Sequence, residues 1–210
     1  MKKNSDVKIM LKEAGILFAI TLIAGLVLGF VYELTKEPIR IQQEKAIQEA
    51  CAAVFEDAAG FDKIEYAVPE GEASMAESLA EKGVEIGTIY AAADAGGSCL
   101  GYVIETVTHE GYGGDIILYM GVRMDGTLNG ISLLEISETP GLGLQAEDVL
   151  VPQFKDKNTE EFTYTKTGSK ADNEIDAISG ATVTTQAIVN AVNGGLEVAA
   201  DLLKGGADNE

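Results

Sequence analysis

"DIILYMGVRMDGTLNGISLLEISE", Asp115 to Glu138, holds two β-rich runs on either side of Asp125-Gly126. Asp-Gly between such runs signals a hairpin, because the central positions of a tight primed turn need positive φ. The stretch therefore predicts two antiparallel strands. On its amino-terminal side, "EIGTIYAAAD" (85–94) and "CLGYVIETVT" (99–108) predict a second pair, separated by the turn "AGG". On its carboxy-terminal side, "EFTYTKTG" (161–168) alternates weakly and predicts one more strand. From Val183 the apolar spacing turns helical, with Gly194-Gly195 as a point of interruption. Earlier, Ile47, Ala50, Cys51, Val54 and Phe55 also fall at helical spacing. Helix, antiparallel strands and final helix, with no βαβ alternation, make an α+β domain and exclude a Rossmann-type nucleotide fold. The polar stretch 61–83 gives no clear element.

The 210 residues suit one ordinary domain plus an accessory segment. Their charge of -19 is unevenly spread: residues 1–13 carry a net +2 and the remainder -21. So acidic a body repels phosphates, which excludes nucleic acid as a partner. Between the two lies "AGILFAITLIAGLVLGFVY", Ala14 to Tyr32, nineteen residues without a charge. At ~1.5 Å per residue this spans the ~30 Å hydrocarbon layer of a lipid bilayer. The run exceeds the ~7–15 apolar residues of a signal peptide and has no A-x-A exit, so it reads as an uncleaved anchor. Lys2, Lys3, Lys8 and Lys12 place the amino terminus in the cytoplasm, against a weaker bias from Lys36, Arg40 and Lys45. The expected organisation is a cytoplasmic 1–13, a transmembrane helix 14–32, a connecting helix 33–60 broken or kinked at Pro38, and an extracytoplasmic domain 61–210. Thr21, Gly25 and Gly29 give the membrane helix one small-residue face. Cys51 and Cys99 read as two buried free thiols or as a disulfide. With no C-x-x-C and one histidine, His109, no zinc, haem or iron–sulfur site is visible.

Three glycine-rich stretches remain: "HEGYGGD" (109–115), "SETPGLGLQAED" (137–148) and "DAISGAT" (176–182). Each serves as a turn, and each also lets backbone amides approach a flat or anionic ligand. Thr182 directly precedes the helical pattern "VTTQAIVNAV". Free amides and the positive end of the helix dipole favour a phosphate there, while Thr is also a preferred helix cap. On the residues alone both readings stand, and the bland one makes the chain an anchored binding or scaffold domain without a redox role.

Asp-x-x-Ser-Gly-Ala-Thr, here Asp176, Ser179, Gly180, Ala181 and Thr182, resembles the flavinylation motif of the FMN-binding domain family. "ETPGLG" (Glu138 to Gly143) and "GYGG" (Gly111 to Gly114) resemble its other signatures, in the family order behind one membrane helix. The likeness covers nearly the whole chain and is greatest to the Rnf electron-transport complexes' flavin-bearing RnfG component. The corresponding NqrC component of the sodium-pumping NADH:quinone reductase is similar but longer. The resemblance implies FMN joined to Thr182 by a phosphoester, made from FAD by a flavin transferase that recognises Asp176. It implies a ring pocket including Glu138, Thr139, Gly141 and Leu142, with Tyr112 and His109 as further lining candidates. It implies an electron-relaying component of an ion-translocating ferredoxin:NAD+ oxidoreductase, surrounded by the other membrane and peripheral subunits.

Overall fold

The computed structural model describes residues 2–66 and 73–207. Residues 47–210 form one compact unit and residues 1–46 another.

In the first unit the described residues are all helical, within α1 (Lys2–Val54). Its apolar segment is long enough to cross a membrane. Thr21 hides its hydroxyl there by bonding the carbonyls of Leu17 (3.1 Å) and Phe18 (3.0 Å). Around Gly25 and Gly29 there is open space, as a small-residue face requires. The helix does not end at Pro38. Proline removes one N–H from the ladder, but the turns on both sides continue, and Arg40 pairs with Glu37 and Glu44 at 2.5 Å. The segment 33–60 is not one connecting helix: α1 stops at Val54, and Gly60 already opens a strand.

The second unit is built on a five-stranded antiparallel sheet in the simplest order, β1-β2-β3-β4-β5. The strands are β1 (Gly60–Ile64), β2 (Val84–Ala93), β3 (Cys99–Thr108), β4 (Ile116–Arg123) and β5 (Leu128–Ile136). α2 (Ala73–Glu81) follows β1, and residues 67–72 of the unread polar stretch lie outside the described residues. The β4–β5 hairpin turns at Asp125-Gly126, with Gly126 at φ 82° and the Asp125 carboxylate accepting the Thr127 N–H at 2.9 Å. Both faces of the sheet are covered, so β4 is apolar along almost its whole length. On one face, Ala50, Cys51 and Val54 from the end of α1, and Phe55 just after it, pack on Ala92, Val103 and Tyr119. The compact unit therefore starts inside the helix.

α4 (Thr182–Ala207) covers the opposite face. Thr184, Ala187, Ile188, Ala191, Val192, Val198 and Ala199 are buried at helical spacing. Gly194-Gly195 does not interrupt this helix, because the glycines sit where it comes closest to the sheet. A Cβ on Gly195 would collide with Met120 Sδ, and one on Gly194 would lie 2.9 Å from Leu79. Between β5 and α4 the chain makes a 3-10 turn (Gly143–Gln145), a short α3 (Ala146–Val149), a second 3-10 turn (Val151–Phe154) and two three-residue strands. These are β6 (Thr163–Thr165) and β7 (Glu174–Asp176), which pair in parallel, unlike the main sheet. Both cysteines are free thiols; Cys51 is buried, but Cys99 is exposed at the start of its strand.

Candidate cofactor site

The three glycine-rich stretches converge. Tyr112, Glu138, Thr139, Leu142, Gly180, Ala181 and Thr182 line one cavity of about 470 Å3, together with Gly143, Val183 and Thr184. That volume lies within the ~300–1,000 Å3 usual for small-molecule pockets. A larger cleft of about 590 Å3 runs along the end of α1, β5 and residues 151–156. It contains none of the glycines of the three stretches, only Glu147 at the far end of the second, and its two cations, Arg123 and Lys155, are already paired with Asp57 (3.4 Å) and Glu56 (3.8 Å).

One wall of the smaller cavity is the start of α4. The Ala181 carbonyl accepts the Thr185 N–H at 3.0 Å, which makes Ala181 the capping residue and Thr182 the first helical one. Alanine has no oxygen with which to cap. Among the described residues, no side chain takes the first-turn amides of Thr182, Val183 and Thr184. Thr182 is thus not the helix cap. An anion at this end would meet unpaired N–H groups and the positive end of the dipole.

The three neighbouring hydroxyls differ. Thr185 is fully buried; its Oγ1 donates to the Ala181 carbonyl (2.9 Å) and accepts from the Ile178 N–H (3.2 Å), stapling the turn. Thr184 is 1% exposed and lines the cavity. Thr182 is half-buried at the cavity wall, and its hydroxyl makes no hydrogen bond within the described residues.

The facing wall is the loop after β5. Glu138 is a buried carboxylate whose Oε1 accepts the Tyr112 N–H at 2.8 Å, tying the first glycine stretch to the second. Gly143 is glycine because a Cβ there would stand 2.7 Å from Glu138 Cβ and 2.8 Å from Thr184 Oγ1. The rim is apolar and open: Tyr112 is 74% exposed, Val183 50% and Leu142 40%. An exposed aromatic ring, two aliphatic side chains and a floor of hydroxyls, amides and one carboxylate suit a planar ring bearing an anionic tail.

Other residues named from the sequence stand back from the cavity. Gly141, at φ 77°, shapes the turn, and Ser179 is exposed. Asp176 turns its carboxylate to Ser169, accepting from the backbone N–H (2.5 Å) and the hydroxyl (3.2 Å). His109 does not line the cavity; it bonds Asp115 (2.9 Å) and faces Glu85 (3.6 Å), and these acids raise its pKa above the usual value. The sequence reading missed Thr184 as a lining residue. Its place in register with Ala187, Ile188 and Ala191 was the available signal.

Two parts of the chain match known families. Residues 111–197 match the FMN-binding domain, and residues 1–54 match the N-terminal region of RnfG. The protein class is therefore a flavin-binding domain carried behind one apolar helix. Over 97% of its length the chain is 32% identical to the RnfG-type component of the Na+-translocating ferredoxin:NAD+ oxidoreductase complex of Acetobacterium woodii, covering 98% of that relative. It is 29% identical to the same component of the ion-translocating oxidoreductase complex of Methanosarcina acetivorans, over 92% of this chain and 96% of the relative. It is 31% identical to the counterpart in the proton-translocating ferredoxin:NAD+ oxidoreductase complex of Clostridium ljungdahlii, over 89% and 93%. The crystal structure of Shewanella oneidensis NqrC aligns with a TM-score of 0.47 at 22% identity, over 56% of this chain and 61% of that one. The chain belongs to the RnfG family, components of ion-translocating ferredoxin:NAD+ oxidoreductase complexes.

Proposed function

We propose that this chain is a single-pass membrane electron carrier whose FMN is joined through its phosphate to Thr182 Oγ1. The observation that carries the reading is the inequality of the three hydroxyls. Thr185 is fully engaged and Thr184 is buried, whereas Thr182 stands unbonded at the cavity wall on an uncapped helix end. A flavin transferase supplies the group from FAD: the threonine oxygen bonds the FMN phosphorus, AMP leaves, and the hydroxyl proton is released. Bound flavin supplies exchange of one or two electrons, and the protein supplies position and electrostatics.

Each lining residue then has a task that its position permits. The amides of the first turn of α4 hold the phosphate. Tyr112 offers an exposed ring face for stacking, and Leu142 and Val183 exclude water from the rim. Thr184 offers a hydroxyl from the buried side, and Glu138 places a negative charge near the ring. Tethering keeps the flavin where no free supply exists, which fits a domain on the outer side of the membrane with the lysine-rich amino terminus inside. In a complex of the kind its relatives are named for, this chain relays electrons between other subunits.

Co-expression with a flavin transferase tests the reading. The wild-type chain should give a flavin-fluorescent band after denaturing electrophoresis, and Thr182→Ala a dark one of equal amount. Fluorescence retained in Thr182→Ala contradicts the attachment.

A further inference from the structure

We propose that Gln153 is a positioning residue for this site: its side-chain amide fixes the strand leading into Ser179–Thr182 to the helical segment that follows Glu138–Gly143. The inference rests on the reading that Thr182 carries the flavin.

Gln153 is half-buried on the second 3-10 turn, away from the cavity lining. Its Oε1 accepts the Asp176 N–H at 2.7 Å, and its Nε2 donates to the Asp176 carbonyl at 3.2 Å and to the Val149 carbonyl at 2.7 Å. One side-chain amide thus holds both backbone groups of one residue, as a neighbouring strand would. Asp176 needs this support. It ends the three-residue β7, whose only strand partner among the described residues is the three-residue β6.

Both sides of the clamp continue to the cavity through short hydrogen bonds. Upstream, Gln153 N–H bonds Leu150, Leu150 bonds Ala146, Gln145 bonds Leu142, and Leu142 and Leu144 both bond Thr139, all at 2.8–3.3 Å. Ala146, Leu150 and Phe154 are buried beneath this segment. Downstream, Ala177 bonds Thr165 (2.8 Å), Ile178 bonds Thr185 and Ala181 bonds Ile178 (3.0 Å). The two segments meet again at the cavity, where Leu142 lies against Gly180 and Thr184 against Gly143. The Asp176 carboxylate, turned to Ser169, takes no part in this link. Gln153 therefore sets the spacing between the walls.

Asn193 supplies a matched control. Its amide clamps Phe162 in the same way, accepting from the N–H (2.8 Å) and donating to the carbonyl (2.9 Å). It lies eleven residues along α4 from Thr182, at ~1.5 Å per residue more than a cavity's width away. The experiment uses the full-length chain in detergent, purified without flavin, with purified transferase and FAD. Attachment kinetics, melting temperature and the fluorescence of attached flavin are read for wild type, Thr182→Ala, Gln153→Ala, Gln153→Glu and Asn193→Ala.

Wild type should be flavinylated and Thr182→Ala not; failure there overturns the Thr182 reading, and the present inference with it. Given that result, Gln153→Ala should lower kcat/KM for attachment by about tenfold, the effect of losing its modest hydrogen bonds to Asp176, and alter flavin fluorescence. Asn193→Ala should lose at least as much melting temperature yet keep attachment within about twofold. Gln153→Glu, which keeps the acceptor and loses the donor, should recover part of the loss. If Gln153→Ala does not fold, an intermediate Gln153→Glu rate supports the proposal and a wild-type one overturns it. Wild-type attachment and fluorescence in Gln153→Ala, or equal losses in Gln153→Ala and Asn193→Ala, overturn it as well.

Discussion

Glu138 puts one negative charge into a cavity whose other polar groups are hydroxyls and backbone amides. Most of the chain's net -19 sits on exposed surface, where screening over ~8–10 Å at physiological salt leaves it little influence on a buried group. A carboxylate beside the cofactor is different. At an effective dielectric of ~20 it contributes on the order of 1–2 kcal/mol against adding an electron, or tens of millivolts. Glu138→Gln keeps the acceptor for the Tyr112 N–H and removes the charge, so it should raise the flavin potential by that amount with attachment at Thr182 retained. Spectroelectrochemical titration at two ionic strengths decides: a potential unmoved by the substitution but strongly moved by salt assigns the effect to distributed charge. His109 gives a second residue-level test. Its hydrogen bond and charge pairing with Asp115, and then Glu85, raise its pKa above the usual 6.5. The contact therefore stabilises the β3–β4 connection fully below that pH and fades as pH rises through the raised value. An imidazole NMR titration should return toward 6.5 in Asp115→Asn; an unchanged titration contradicts the pairing.

Elements set by local pattern were legible in the sequence. The Asp125-Gly126 hairpin and the strands flanking "AGG" follow from β-rich runs on either side of turn residues, and the apolar stripe of α4 from a period of 3.6. What escaped depends on contacts distant in sequence. The strand expected from the weak alternation of 161–168 is present but shrinks to the three residues of β6. β7 is too short for alternation to register, and the Ala177 N–H on Thr165 and the Gln153 side chain on Asp176 tie down its end. At Pro38 the local rule for a helix break was outweighed by the helix on both sides. Of the site, the three glycine-rich stretches were legible singly; their convergence was legible only through family resemblance, because Tyr112 and Thr182 are far apart in the chain. Gly194-Gly195 shows the same limit, reading as a break when it is a close approach. Replacing a helix-interior glycine by alanine gains about 1 kcal/mol of propensity. At Gly195 the methyl would instead press on fully buried Met120, and overpacking of this kind costs about 1–3 kcal/mol. Gly195→Ala should therefore lower the melting temperature, and a rise would mean that α4 stands further from the sheet.

For the whole molecule, topology and cofactor are linked, since a tether is useful where free flavin is absent. The chain contains its own reporter. Cys99 is exposed, whereas burial and the nearby Glu105 push the Cys51 thiol up to about 11, which keeps it protonated and unreactive. A membrane-impermeant maleimide should label Cys99 from outside intact cells, or from the periplasm where an outer membrane exists, and leave Cys51 untouched until unfolding. Cys99→Ser should abolish the native signal, and labelling that requires lysis would reverse the orientation. Fold, cavity and anchor all bear on one proposed bond, between Thr182 and the phosphate of FMN. Peptide mass spectrometry of the full chain, purified from cells containing a flavin transferase, tests that bond most directly. The predicted result is one FMN, less a water, on the peptide containing Ser179–Thr185, with fragment ions assigning it to Thr182. An unmodified peptide, or a flavin assigned to Thr184 or Thr185, would contradict it.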